Sequence, residues 1–129
     1  MEAKDIMTRD VVTVSPTLPV KTLATVLIKN QISGAPVADK EGKIVGVVSE
    51  ADLIAKKGKK VKAIMSNKVI GITEETPVEE IARLMATHRI KRLPVMRGKS
   101  LVGIVSRADI VGAIARGQHI ALHTPVYDL

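Results

Sequence analysis

The 129-residue chain has no cysteine, no tryptophan and no phenylalanine, and Tyr127 is its one aromatic residue. Without cysteine there is no disulfide framework, no thiolate nucleophile and no zinc site of the cysteine type, a composition that suits a reducing compartment. Without aromatic rings the core must be built from Val, Ile, Leu, Ala and Met, and any bound base must be gripped by branched side chains rather than stacked. No apolar run approaches the roughly 18 residues a membrane span requires. The start MEAKDIMTRD lacks the basic-then-apolar order of a secretory signal. A cytoplasmic protein without membrane contact is expected. No Ser-His-Asp grouping and no Walker-type glycine loop is present, so the chain should bind without turnover, as a non-enzyme with no cofactor.

What is there is charge and repetition. The net charge of +7 draws anions: nucleotides, nucleic acid or acidic partners. The length suits one folding unit that buries about 65–70% of the surface its unfolded chain exposes. GVVSEADL at 46–53 returns as GIVSRADI at 103–110, and the likeness extends over residues 3–54 and 61–111 at a spacing of about 58, with a slip of about one residue in a turn. DIMTRDVVTVSPTLPV lies over AIMSNKVIGITEETPV, and QISGAPV over RIKRLPV. The domain boundaries read as repeat 1 over 1–57, a basic linker at 58–60, repeat 2 over 61–115 and a tail at 116–129.

Each copy reads as β-α-β-β-α. The β-branched runs Val11–Val14 and Val69–Ile72 predict strands. Pro19 and Pro77 suit a first helical turn, and Thr76 with Glu79 has capping-box spacing. The helices that follow carry Val20, Leu23, Ala24, Leu27 and Ile28 in copy one and Val78, Ile81, Ala82 and Met85 in copy two, one core face each. Two short apolar runs then flank turns at Lys40–Lys43 and Arg97–Ser100. Ser49 and Ser106 open the second helices, each followed three residues on by Asp52 or Asp109, a variant of the capping box.

In DIMT, SGAPV and GVVSEADL, and again in AIMS, HRIKRLPV and GIVSRADI, the chain resembles a tandem pair of CBS domains (a Bateman module), as found in IMP dehydrogenases and in stand-alone proteins. The resemblance implies an α/β (α+β) fold of two pseudo-symmetric repeats packed sheet to sheet. It also implies a regulatory ligand, AMP, ADP or ATP, in the cleft between repeats, a homodimer, and a regulated partner protein that the sequence does not name. In the family the serine or threonine and the aspartate of the repeated motif contact phosphate and ribose. The chemistry is consistent with this: a helix start offers free amides to phosphate, and a carboxylate accepts both ribose hydroxyls.

Carried over by position, one site would join Ile104, Ser106 and Asp109 with Thr8, Val12, Ser33 and Gly34. Its counterpart would join Val47, Ser49 and Asp52 with Ser66, Ile70, Lys91 and Arg92. Lys91 and Arg92, near His88 and Arg89, form the preferred phosphate end and could serve either site. Arg97 stands where the family often has an acid.

Other readings remain. The repeated Ser-x-x-Asp is equally a pair of helix caps. A sensor of S-adenosylmethionine-type ligands would use the aspartates without needing a phosphate cluster. A basic interaction module for nucleic acid or an acidic protein would use the lysines at 56, 57, 59, 60 and 62. His119 and His123 have metal-helix spacing but no intervening glutamate, and Pro125 follows, so no metal site is assigned. Met7, Met65, Met85 and Met96 read as core filler.

Overall fold

A computed structural model describes residues 1–117. The elements are α1 (Ala3–Ile6), α2 (Val20–Asn30), β1 (Gly34–Ala38), β2 (Ile44–Ser49), α3 (Glu50–Ala55), α4 (Val61–Ile64), α5 (Val78–His88), β3 (Arg92–Arg97), β4 (Ser100–Ser106) and α6 (Arg107–Ala115). They divide into two compact units where length alone suggests one. A continuous unit runs from Asp10 to Ile70; a split unit joins Met1–Arg9 to the described residues from Gly71 onward. Each is a mixed α/β body with one two-stranded antiparallel sheet, β1–β2 or β3–β4. His119, His123, Pro125 and Tyr127 lie outside the described residues.

The doubling in sequence is a doubling of backbone bonds. In the continuous unit Val61 N donates to Leu18 O (2.9 Å), Lys62 N to Pro16 O (2.8 Å) and Val20 N to Lys59 O (2.9 Å). In the split unit Ala3 N donates to Thr76 O (2.9 Å), Lys4 N to Glu74 O (3.0 Å) and Val78 N to Met1 O (3.0 Å). The four-residue helices α1 and α4 therefore do the same work, each clasping the turn before the long helix of its own unit. Lys59, in the stretch expected as a basic linker, and Met1, Ala3 and Lys4 are thus tied in by backbone pairing.

The expected strands Val11–Val14 and Val69–Ile72 shrink to single parallel bridges, Val14 with Val37 and Ile72 with Val95. Proline is the reason. Val14 donates to Pro36 O and accepts from Ala38 N, and Ile72 donates to Pro94 O and accepts from Met96 N. The next rung back would need an N–H from Pro36 or Pro94, which neither has. The chain leaves the sheet there, and Val12 and Ile70 lie off the ladder, half-buried.

Pro19 and Pro77 sit at the N-cap, one position before the long helices, with no side-chain cap bond. The expected Thr76–Glu79 capping box does not form. Thr76 Oγ1 instead accepts from Thr73 N at 3.0 Å, and the first amide of α5 is already bonded to Met1 O. In α2, Leu23 and Leu27 are buried, but Ile28 is 76% exposed and Ala24 also faces outward, so the core face is narrower than the periodicity predicts. In α5, Val78, Ile81 and Met85 are all buried.

The continuous core gathers Val14, Leu23, Leu27, Val37, Val48, Val61 and Ile64. The split unit buries Ala3, Ile6, Ile72, Leu93, Val95, Val105, Ile110 and Ala113 with the α5 face. Met85 is core, whereas Met7, Met65 and Met96 are half-buried.

The hairpin turns show where the copies part. Gly42 (φ +82°) and Gly98 (φ +61°) take the left-handed conformation each turn needs. In copy one Asp39 Oδ1 accepts from Glu41 N (3.0 Å) and Lys43 N (2.9 Å). In copy two Arg97 stands there and forks onto Glu74, Nε to Oε1 at 2.7 Å and Nη2 to Oε2 at 3.1 Å. The Arg97 hydrogen bonds first, then the charges of Arg97, Arg9 and Lys4, hold the Glu74 carboxyl below its ordinary 4.5. A carboxyl depressed by folding stabilises above its unfolded value and loses that contribution as pH falls through the folded one. Urea midpoints taken from neutrality to below pH 4.5 should therefore fall more steeply in the wild type than in Glu74→Gln; parallel slopes would show the clasp to be energetically silent.

Candidate functional site

Both second helices start with the same device. Ser106 caps α6: its Oγ accepts from Asp109 N (3.3 Å), while Asp109 Oδ2 accepts from Ser106 N (2.8 Å) and Ser106 Oγ (3.1 Å). Ser49 caps α3 in the same way, with 3.4, 2.9 and 3.2 Å. The cap reading of Ser-x-x-Asp is thus realised in both copies. It uses one carboxylate oxygen and does not exclude a role for the other.

A short segment from elsewhere in the sequence is seated beside each cap. Thr8 pairs with Ile104 through Thr8 N to Ile104 O (2.9 Å) and Ile104 N to Thr8 O (3.0 Å); Ser66 pairs with Val47 through Val47 N to Ser66 O (3.0 Å) and Ser66 N to Val47 O (2.9 Å). Both hydroxyl-bearing residues are exposed. The approach is close because the strand has glycine where the segment crosses. A Cβ on Gly103 would lie 2.6 Å from Met7 Sδ and 3.0 Å from Thr8 O, and one on Gly46 would lie 2.7 Å from both Met65 Sδ and Ser66 O.

The third side of each cap is the start of the hairpin. Arg107 N donates to Lys91 O at 2.9 Å, and Arg92 is the register partner of Ser106. Glu50 N donates to Ser33 O at 2.9 Å, and Gly34 is the partner of Ser49. Lys91 is exposed and Arg92 half-buried; Ser33 is exposed and Gly34 buried.

The split unit therefore assembles Thr8, Lys91, Arg92, Ile104, Ser106 and Asp109. The continuous unit assembles Val12, Ser33, Gly34, Val47, Ser49, Asp52, Ser66 and Ile70. Thr8 stands with Asp109 and Ser66 with Asp52, as grouped from the sequence. Lys91 and Arg92, grouped there with Asp52, are in the unit of Asp109, whereas Val12, Ser33 and Gly34, grouped with Asp109, are in the unit of Asp52. The split unit thus holds a hydroxyl, a capped helix start whose Arg107 and Asp109 amides are already bonded, a carboxylate and, on the strand beside Ser106, two cations, a set suited to a polar anion bearing vicinal hydroxyls.

Sequence reasoning missed one residue here. Lys56 Nζ lies 2.9 Å from Asp52 Oδ1 and donates to Ile64 O at 3.1 Å. Its i, i+4 spacing from Asp52 was a readable signal, masked because the lysine opens a run of similar charges.

Among the described residues no helix is long and apolar enough to cross a membrane. The sequence matches the CBS domain twice, over residues 3–58 and 61–116. The inosine-5'-monophosphate dehydrogenase of Methanocaldococcus jannaschii is 37% identical over 113 residues, covering 85% of this chain but 23% of the enzyme, so the chain spans under a quarter of that relative. An uncharacterised Bacillus subtilis protein, YlbB, is 30% identical over 115 residues, covering 83% of this chain and 78% of its own. Among solved structures, the CBS domain pair of protein MJ0100 in complex with 5'-methylthioadenosine and S-adenosyl-L-methionine superposes with a TM-score of 0.86 at 30% identity, covering 92% and 98% of the two chains. CBSX2 in complex with AMP superposes with a TM-score of 0.82 at 29% identity, covering 89% and 96%.

Proposed function

This chain belongs to the CBS-domain family, and from that membership we propose that it is a regulatory module that binds an adenosine nucleotide and passes its binding state to a partner protein. The observation that carries the reading is the company of Asp109. Its carboxylate, the Ser106 cap, the Thr8 hydroxyl and the cations Lys91 and Arg92 all belong to one unit. Adenosine compounds bound to MJ0100 and CBSX2 support the same ligand class. On this reading the carboxylate takes the ribose hydroxyls, the helix start and cations take phosphate, and no bond is made or broken.

A thermal-shift panel of AMP, ADP, ATP, S-adenosylmethionine and methylthioadenosine tests it. A ligand at 100 times its dissociation constant adds about 2.7 kcal/mol of stability, a readily measured rise in melting temperature. No response to any compound would overturn the proposal.

The second reading, an adenosyl thioether, draws on the MJ0100 complex. Replacing Lys91 and Arg92 with the copy-one residues, Ser and Gly, separates the two. AMP should weaken while methylthioadenosine is unchanged if phosphate is held there; equal losses would remove the phosphate assignment. A third class, nucleic acid on the exposed lysines 57, 59, 60 and 62, predicts steeply salt-dependent binding that their neutralisation flattens.

A homodimer is part of the proposal. Ile28 and Ile54 (87% exposed) in the continuous unit, and Val111 (63%) and Ile114 in the split unit, present large apolar side chains to solvent. Light scattering should give twice the chain mass, and the mass of one chain with and without ligand would refute it.

A further inference from the structure

The two copies are built alike down to their caps, yet their carboxylates are not in the same state. Asp52 has both oxygens engaged: Oδ2 by the Ser49 amide and hydroxyl, Oδ1 by the Lys56 ammonium at 2.9 Å. Asp109 Oδ2 serves the same cap, while its Oδ1 accepts no bond from any described residue. Counted from the capping serine, the residue in copy two at the place of Lys56 is Ala113, which is fully buried.

Helix length explains the contrast. α3 ends at Ala55, with Lys56 as its C-cap, so Lys56 leaves the helix where its stem can reach back to Asp52 and its ammonium forward to Ile64 O. α6 runs on to Ala115, which makes the corresponding position, Ala113, an internal and buried one. The Asp52 side chain is 15% exposed, so the ion pair is partly shielded, and acid-before-base at i, i+4 is the favourable order on a helix. A ribose approaching Asp52 would have to displace a charge-assisted partner; one approaching Asp109 would not.

We propose that Lys56 is a resident counter-ion that reserves Asp52 for structure, so that the chain takes one adenosine ligand, on Asp109, and not two. This rests on the adenosine-ligand reading above and goes beyond it in making the copies functionally unequal and naming the residue responsible.

Calorimetry with AMP and with methylthioadenosine tests it on the full chain. The wild type should bind one equivalent, and Asp52→Asn should change affinity by less than about twofold. Lys56→Met removes the ammonium and should raise the stoichiometry above one. Lys56→Gln keeps a donor for the Ile64 carbonyl and should do the same, which guards against a loss of fold in the methionine variant. Two equivalents in the wild type, a tenfold loss in Asp52→Asn, or a stoichiometry of one in both folded Lys56 variants would each overturn the proposal while leaving the ligand reading intact. Absence of heat with either compound in every variant would overturn both.

Discussion

Asp109→Asn is expected to weaken AMP binding about ten- to a hundredfold while lowering stability by no more than about 1 kcal/mol. The two effects separate because the residue has two oxygens with different duties. Oδ2 closes the capping box on Ser106, the unchanged N-cap, and the amide oxygen of an asparagine can still accept from the Ser106 N–H, so the start of α6 survives the change. What asparagine cannot supply is the negative charge at Oδ1, the atom free of described partners, which on the proposed reading accepts from a pair of ligand hydroxyls. A charge-assisted bond of that kind is worth about 1.5–3 kcal/mol, which is the stated fold-change. Calorimetry for affinity and thermal melts for stability decide it. Unchanged affinity with a lowered melting temperature would reduce the repeated motif to a helix cap.

Gly103→Ala is expected to cost about 1–3 kcal/mol of stability, and Gly46→Ala a similar amount, although each adds a single methyl group. At Gly103 that group would stand 2.6 Å from Met7 Sδ and 3.0 Å from Thr8 O; at Gly46 it meets Ser66 O at 2.7 Å. A methionine tip can swing aside, but a carbonyl held in a two-bond bridge cannot move without breaking the bridge. The variants should therefore loosen the segments carrying Thr8 and Ser66, and the Gly103 change should weaken the ligand as well. Gly112→Ala serves as the contrast. It lies inside α6, among the described residues its added methyl would meet only the flexible Arg116 guanidinium at 3.2 Å, and it should stabilise by about 0.5–1 kcal/mol. Urea midpoints for the three variants check the signs; stability unchanged in Gly103→Ala and Gly46→Ala would mean that the crossings are not as tight as their geometry states.

The parts of the fold visible in the sequence are those where neighbouring residues carry the information. The long helices announce themselves by the spacing of Leu23 and Leu27 and of Ile81 and Met85, the hairpins by their turn glycines, and the caps by Ser-x-x-Asp. The relation between the copies was legible because self-comparison needs no template. Where local pattern and long-range pairing disagreed, local pattern misled. Val11–Val14 is rich in strand formers, but its pairing is set by a proline over twenty residues on. Thr76 has capping spacing, yet its hydroxyl accepts from Thr73 N and its own amide, which Glu79 would have to serve, donates to Thr73 O. The Arg97–Glu74 clasp joins charges with no sequence relation, and nothing in either neighbourhood signals it. At the site, positional carry-over collected suitable residue types, while the backbone bridges that seat Thr8 beside Ile104 and Ser66 beside Val47 are long-range pairings that no local pattern announces. Lys56 was hidden by its own neighbours: in a run of lysines, the one with a fixed partner looks like the rest.

The partition also sets an order of events. Asp10–Ile70 is one uninterrupted stretch, so every contact of its core can be made once that much chain exists. The split unit is different: Ala3 and Ile6 are core residues, and Thr8 must find Ile104 near the other end of the described chain. During vectorial synthesis residues 1–9 emerge well before β4 but are placed only with it, and closing that long loop costs entropy that the continuous unit avoids. Residues 1–9 wait, with Ile6 and Met7 exposed, until β4 is made. A ligand gripped by Thr8 and Asp109 together would therefore recognise only a closed split unit, and its binding would report that closure as well as its own concentration.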